Sequence, residues 1–194
     1  MNERSNGKRL LAICGTLVLL SGCASTLSKV TDKPFQESQA QPTIGTSVDD
    51  LKMETLIAAN IKKAHPQLAS AHVNVHSFNR VVLLTGEVPN EEMKNLAGDT
   101  ARAYRGAREV YNELQVRTNT GMLARSNDSW LATKVRTRLV AEKNLNTRGI
   151  EVIVEDSVVY LMGKTTRRDA NLMATIASRI GGVQRVVKVF EYLD

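Results

Sequence analysis

A chain of 194 residues, 42% hydrophobic and 24% charged, is long enough for one domain or two small ones and too apolar to be disordered throughout. Its formal charge of +6 is mild, far from the strongly basic balance of a nucleic-acid binder, so no nucleic-acid partner is expected. With only two cysteines, Cys14 and Cys23, and the first of them inside an apolar leader, the chain offers no disulfide framework and no thiolate metal site.

The leader comes first. Arg4, Lys8 and Arg9 precede an apolar run from Leu10 to Leu20, and Ser21, Gly22 and Cys23 follow. This is the layout of a secretory signal peptide over residues 1–22. Its apolar core is shorter than the roughly 20 residues that a spanning helix needs. Removing it leaves 172 residues with a net charge of +4. Leu20-Ser21-Gly22-Cys23 resembles the bacterial lipobox, which implies that Cys23 becomes the first mature residue and carries the lipid. Ala24 stands where a retention aspartate is found in enterobacterial lipoproteins. That resemblance implies the inner leaflet of the outer membrane, with the protein facing the periplasm. Residues 23–46 are rich in Ser, Thr, Gln, Lys and Pro, lack any hydrophobic period, and read as a flexible tether.

Beyond the tether the chain repeats itself. The segment from Val73 to Gly86 aligns without a gap on Ile150 to Gly163, an offset of 77 residues. Upstream, Asp50, Met53, Ile57 and Ile61 match Asp128, Leu131, Val135 and Leu139; downstream, Gly106 and Val110 match Gly182 and Val186. A long period present twice indicates duplication of a small domain rather than a solenoid. Each copy predicts an amphipathic helix opening at an aspartate cap, Asp50 or Asp128. Two β-rich runs follow, split by Asn79-Arg80 or Asp156-Ser157 as a hairpin turn and closed by Gly86 or Gly163. A second helix is expected over about Asn90–Tyr104 or Arg167–Ile180, and a last strand over Glu109–Val116 or Arg185–Tyr192. The fold class is α+β, two αββαβ units at 47–117 and 127–194 joined by a linker at 118–126. Each unit is a small three-stranded sheet against two helices. So small a core is marginal, which predicts contact between the copies.

Two αββαβ copies with the turn–Val-Val-x-Leu-x-Gly strand resemble tandem BON domains. Behind the lipobox, Ser126-Asn127-Asp128-Ser129-Trp130 with Thr133-Lys134-Val135-Arg136, and Gly45-Thr46 before Val48-Asp49-Asp50, resemble the dual-BON outer-membrane lipoproteins of the DolP/YraP family. The resemblance covers essentially the whole chain. It implies a non-enzymatic protein that binds phospholipid and supports envelope integrity, with a link to the division site.

Comparison of the copies isolates residues that fold maintenance does not explain. Trp130, the sole tryptophan, aligns with Lys52 and lies roughly 140° around the helix from Leu131, Val135 and Leu139. Lys134 and Thr137 share its side and Arg138 lies farther round. An exposed indole beside cations suits a lipid headgroup region, so Trp130, Lys134, Thr137 and Arg138 are the expected phospholipid-binding residues. The first copy is neutral over 49–118 and the second carries +3 over 127–194, which favours the second for anionic lipid. His72 and His76 share a strand parity and are expected to face solvent; nearby sequence supplies no further ligands, so no metal is expected. Asp49-Asp50 and Glu91-Glu92 sit at predicted helix starts, where they meet the helix dipole, and no catalytic residue or cofactor is expected. The partner expected from this pattern is an anionic phospholipid membrane. The alternative is a protein-interaction module that docks an envelope-assembly or divisome component.

Overall fold

The computed structural model describes residues 46–118 and 122–194; Cys23, the leader and the tether fall outside the described residues. The first copy runs α1 (Thr46–Ala64), α2 (Pro66–Ser70), β1 (His72–Phe78), β2 (Val81–Val88), α3 (Glu91–Arg102), β3 (Glu109–Asn112) and β4 (Gln115–Val116). The second runs α4 (Met122–Val140), β5 (Ile150–Glu155), β6 (Val158–Thr165), α5 (Arg167–Ser178) and β7 (Arg185–Tyr192). In each copy the first two strands form an antiparallel hairpin, and the second strand pairs in parallel with the last. The last strand of the first copy is interrupted between β3 and β4, where Leu114 turns inward and is fully buried.

Strand alternation assigns one face of each sheet to its helices. In the first copy Val82, Leu84 and Val88 meet Met53, Ile57 and Ile61 of α1 and Met93, Ala97 and Ala101 of α3. In the second, Val159 and Leu161 meet Leu131, Val135 and Leu139 of α4 and Ala170, Met173 and Ala177 of α5. Asn90 and Thr166 cap α3 and α5, each side chain accepting a backbone N–H three residues on. Glu91 and Glu92 lie in the first turn of α3. Gly86 and Gly163 have φ of +113° and +144°, and a Cβ at either would run into a carbonyl, that of His72 on β1 or that of Gly149 just before β5. The Leu-x-Gly signature therefore serves a close backbone approach.

The opposite faces of the two sheets stack on each other. Val81, Leu83, Tyr160, Met162 and Val189 form a third buried cluster, with Phe78, Tyr111, Ile153, Val158 and Val187 packed around it. Each fully buried large apolar side chain in such a cluster contributes roughly 1.5–3 kcal/mol. The result is four layers, helices–sheet–sheet–helices, and it explains why every residue of β2 is buried. β1 and β5 run antiparallel across the gap: Phe78 and Asn79 share a groove with Gly149 and Ile150, and Asn74 donates to Glu155 at 2.9 Å. The copies are therefore related by an approximate two-fold axis between the sheets. Ion pairs ring the apolar centre, among them Arg108–Glu191 at 3.0 Å, Arg185–Glu113 at 3.3 Å and Arg117–Asp156 at 2.7 Å.

Two sequence expectations are corrected. Asp50 and Asp128 do not cap their helices, which begin earlier, at Thr46 and Met122. Both are only 7% exposed and clamp the hairpin turns instead. Asp50 accepts N–H bonds from Asn79 at 2.7 Å and Arg80 at 2.9 Å, plus the Ser77 hydroxyl at 2.8 Å. Asp128 accepts from Asp156 at 2.8 Å and Ser157 at 2.9 Å. These two-residue turns hold all four central residues at positive φ, between 48° and 67°. That conformation disfavours Arg and Ser, so a carboxylate on the turn N–H groups offsets the strain. His72 and His76 do not face open solvent either. The second copy's sheet covers their side of β1 and leaves both half-buried.

Candidate functional site

Leu131, Ala132, Val135 and Leu139 of α4 are buried, so the helix turns the rest of its circumference outward. Trp130 is 59% exposed and belongs to none of the three apolar clusters. One turn on, Lys134 places its Nζ 4.8 Å from the centre of the indole ring, a cation–π contact at an exposed site. The same Nζ lies 3.5 Å from the carbonyl oxygen of Gly181, in the loop between α5 and β7. Thr137 and Arg138 are exposed one turn farther along, the Thr137 hydroxyl donating back to the Thr133 carbonyl at 2.9 Å. The helix thus presents an indole, an ammonium held against it, a hydroxyl and a guanidinium along one flank. Lys134 is brought into direct contact with Trp130; Thr137 and Arg138 share the flank by helical spacing. The Gly181 carbonyl is a participant that the sequence did not identify, because its approach depends on how α5 docks beside α4.

A second constellation lies where the copies meet. On β1, His72, Asn74 and His76 point toward β5, whose Glu151, Ile153 and Glu155 share a groove of about 730 Å³ with them. His72 Nε2 is 3.4 Å from Glu155 Oε1, and Asn74 Nδ2 donates to Glu155 Oε2 at 2.9 Å. Glu87, cross-strand from His72, takes the Arg117 guanidinium on Oε1 at 3.2 Å. Burial pushes the Glu155 carboxyl up, and the nearby Glu87 charge adds to this, while His72 and Asn74 oppose it. Burial likewise lowers His76. Glu54 and Glu151, which share a neighbouring groove with Asp50, are also raised, chiefly by burial, with Asp50 adding to both.

Among the described residues no helix is long and apolar enough to cross a membrane. The fold, a duplicated αββαβ sheet-and-helix unit, defines a tandem small-domain protein of the BON class. Residues 49–118 and 127–194 each match the BON domain family. The chain is 35% identical over 187 residues to outer membrane lipoprotein DolP of Haemophilus influenzae, covering 96% of this chain and 97% of that one. It is 33% identical over 150 residues to the 21 kDa hemolysin of Actinobacillus pleuropneumoniae, covering 77% of each. It is also 23% identical over 192 residues to osmotically-inducible protein Y of Escherichia coli, covering 96% of each. The chain belongs to the DolP/YraP family of BON-domain outer-membrane lipoproteins. None of these three relatives is named for a catalytic activity.

Proposed function

We propose that this outer-membrane BON protein is acylated at Cys23, faces the periplasm, and binds anionic phospholipid through the α4 flank of its second copy. The observation that carries the reading is Trp130, 59% exposed with the Lys134 ammonium 4.8 Å from its ring. An indole gains by lying at the headgroup level, and each cation near an anionic surface contributes about 1 kcal/mol. The lipid on Cys23 makes that contact intramolecular, so a weak headgroup site suffices.

The geometry allows both attachments at once. The chain enters the fold at Thr46 beside the Asn79-Arg80 turn, whereas Trp130 lies two residues from Asp128 and so beside the Asp156-Ser157 turn. The antiparallel stacking puts these turns at opposite ends of the strands, about 20 Å apart for a six-residue strand. The segment between Cys23 and Thr46 can extend to at most about 83 Å, ample to bring the Trp130 end to the membrane. Support of outer-membrane integrity and enrichment at the division site enter this reading from the family resemblance alone.

The test is co-sedimentation of the non-lipidated protein, residues 24–194, with liposomes of anionic or zwitterionic composition. Trp130→Glu abolishes anionic-liposome binding while leaving the far-UV circular dichroism unchanged. Undiminished binding by that variant rejects the site. Capture of an envelope protein by the same flank, persisting in detergent free of anionic lipid, would support the protein-docking alternative instead.

A further inference from the structure

The approximate two-fold axis creates two related grooves between the sheets, and equivalent positions in them carry different chemistry. Beside the first copy's turn, Phe78, Gly149 and Lys164 line one groove. At the 77-residue offset their counterparts are Glu155, His72 and Glu87, at the other end of the stack. The same backbone frame is thus built once with an aromatic ring, a glycine and an ammonium, and once with an imidazole and two carboxylates. The fold does not require metal-type donors at these positions.

In the second arrangement the donors converge. One ligand atom each from His72, Glu87 and Glu155 lies within 4.8 Å of the others. Glu87 is 1% exposed and the Glu155 side chain 12%, so two carboxylates are withdrawn from water, with the Arg117 guanidinium paired to Glu87. Arg117 also pairs with Asp156 at 2.7 Å, which divides its compensation. The Asn74 amide donates to one oxygen of Glu155, and Arg117 donates to one oxygen of Glu87. Outer hydrogen bonds of this kind hold metal-ligating carboxylates in position.

We propose that His72, Glu87 and Glu155 form a zinc-class divalent cation site that clamps the two copies together. An imidazole with two carboxylates suits zinc, with the fourth position left to water, whereas calcium and magnesium favour all-oxygen sets. Tetrahedral coordination at 2.0–2.2 Å places ligand atoms roughly 3.4 Å apart. The 3.4 Å between His72 Nε2 and Glu155 Oε1 already meets this. Asn74 Nδ2, 3.1 Å from the same imidazole nitrogen, gives up that contact when the cation binds and keeps its bond to Glu155. Because β1 and β2 supply two ligands and β5 the third, the cation bridges the copies and neutralises the acidic end of their interface. This site is remote in chemistry from the Trp130 flank and does not depend on its lipid role.

The test is calorimetric titration of the full-length chain in detergent with zinc chloride, and separately with magnesium chloride. One zinc binds per chain and magnesium does not compete. His72→Gln and Glu155→Gln each abolish zinc binding, Asn74→Ala weakens it about 10- to 100-fold, and His65→Ala leaves it unchanged. X-ray absorption of the zinc-loaded wild-type chain shows one imidazole with oxygen donors, a reading that stands even where a variant folds poorly. The proposal is overturned by absence of stoichiometric zinc binding, by a coordination shell without imidazole, or by full binding in both folded glutamine variants.

Discussion

The two copies share a backbone and carry different side chains at equivalent positions. In the first, α1 carries Lys52 where α4 carries Trp130, and the segment 49–118 is neutral where 127–194 holds +3. At the contact between sheets, Leu83 and Thr85 of the first copy correspond to Tyr160 and Met162 of the second, so the second contributes the bulk of the apolar seal. The first copy contributes the polar edge instead, with His72, Asn74, His76 and Glu87. Duplication has kept what the fold needs, the Asp-clamped turns and the close-approach glycines. The positions that differ lie on the outer helix flank and in the gap between sheets.

The comparison breaks most severely at the seal. Tyr160→Ala removes the largest buried side chain of the inter-sheet cluster and is expected to cost about 3–5 kcal/mol, against about 2–5 kcal/mol for its counterpart Leu83→Ala. Urea unfolding followed by Trp130 fluorescence and by circular dichroism should separate into two transitions in Tyr160→Ala if docking makes the copies cooperative. Coincident curves with unchanged midpoint would show that the seal contributes little.

The turn clamps come next. Removing Asp50 orphans two turn N–H groups and leaves the Ser77 hydroxyl with the weak Met53 Sδ acceptor at 3.4 Å, whereas removing Asp128 orphans two N–H groups. Each substitution by alanine should cost on the order of 1–3 kcal/mol or more, with Asp50→Ala the larger. Thermal melts of the two variants side by side measure the difference, and a reversed order would mean that strain in the turns, rather than hydrogen bonding, dominates.

At the outer flank, Lys134→Ala removes one cation from beside Trp130. Anionic-liposome affinity should fall by about 1 kcal/mol, roughly fivefold, at low ionic strength and by less as salt is added. The matching change in the first copy, Lys52→Ala, should leave liposome binding unaltered, which sharpens the assignment of lipid contact to one copy.

The smallest effect concerns the rim. Arg108, with Asn79 as a second donor, holds the Glu191 carboxyl down to about 2, below its ordinary 4.5. A depressed carboxyl contributes stability that is complete above the unfolded value and is lost as pH falls through the folded one. Glu191→Gln should therefore flatten the decline in melting temperature between pH 4.5 and 2. Because Glu191 is partly exposed, the change will be modest and will shrink in high salt.

How much of this was legible in the chain differs by element. The hairpins were readable because alternating β-rich runs were broken by two polar residues, and the structure has Phe78 opposite Val81 and Glu155 opposite Val158 accordingly. α3 and α5 were readable from their apolar spacing and polar caps. Sequence alone makes Asp50 and Asp128 look like caps, because an aspartate before an apolar period has the same local signature whether its carboxylate meets its own helix or a turn 28 or 29 residues away. The outward aspect of Trp130 followed from helical geometry, but the Gly181 carbonyl beside Lys134 did not, since it arrives from the loop after α5.

By itself the sequence determined the duplication, the αββαβ unit, the glycines that close each hairpin and the helix flank on which Trp130 sits. All of these follow from local periodicity, turn chemistry and comparison of one copy with the other. Only the tertiary structure decided that the two sheets stack face to face, that His72 and His76 lie beneath the second copy, and that Glu155 meets His72 and Glu87. The reason is physical: a period of two says which side chains share a face of a strand, but what covers that face is set by packing between segments far apart in the chain.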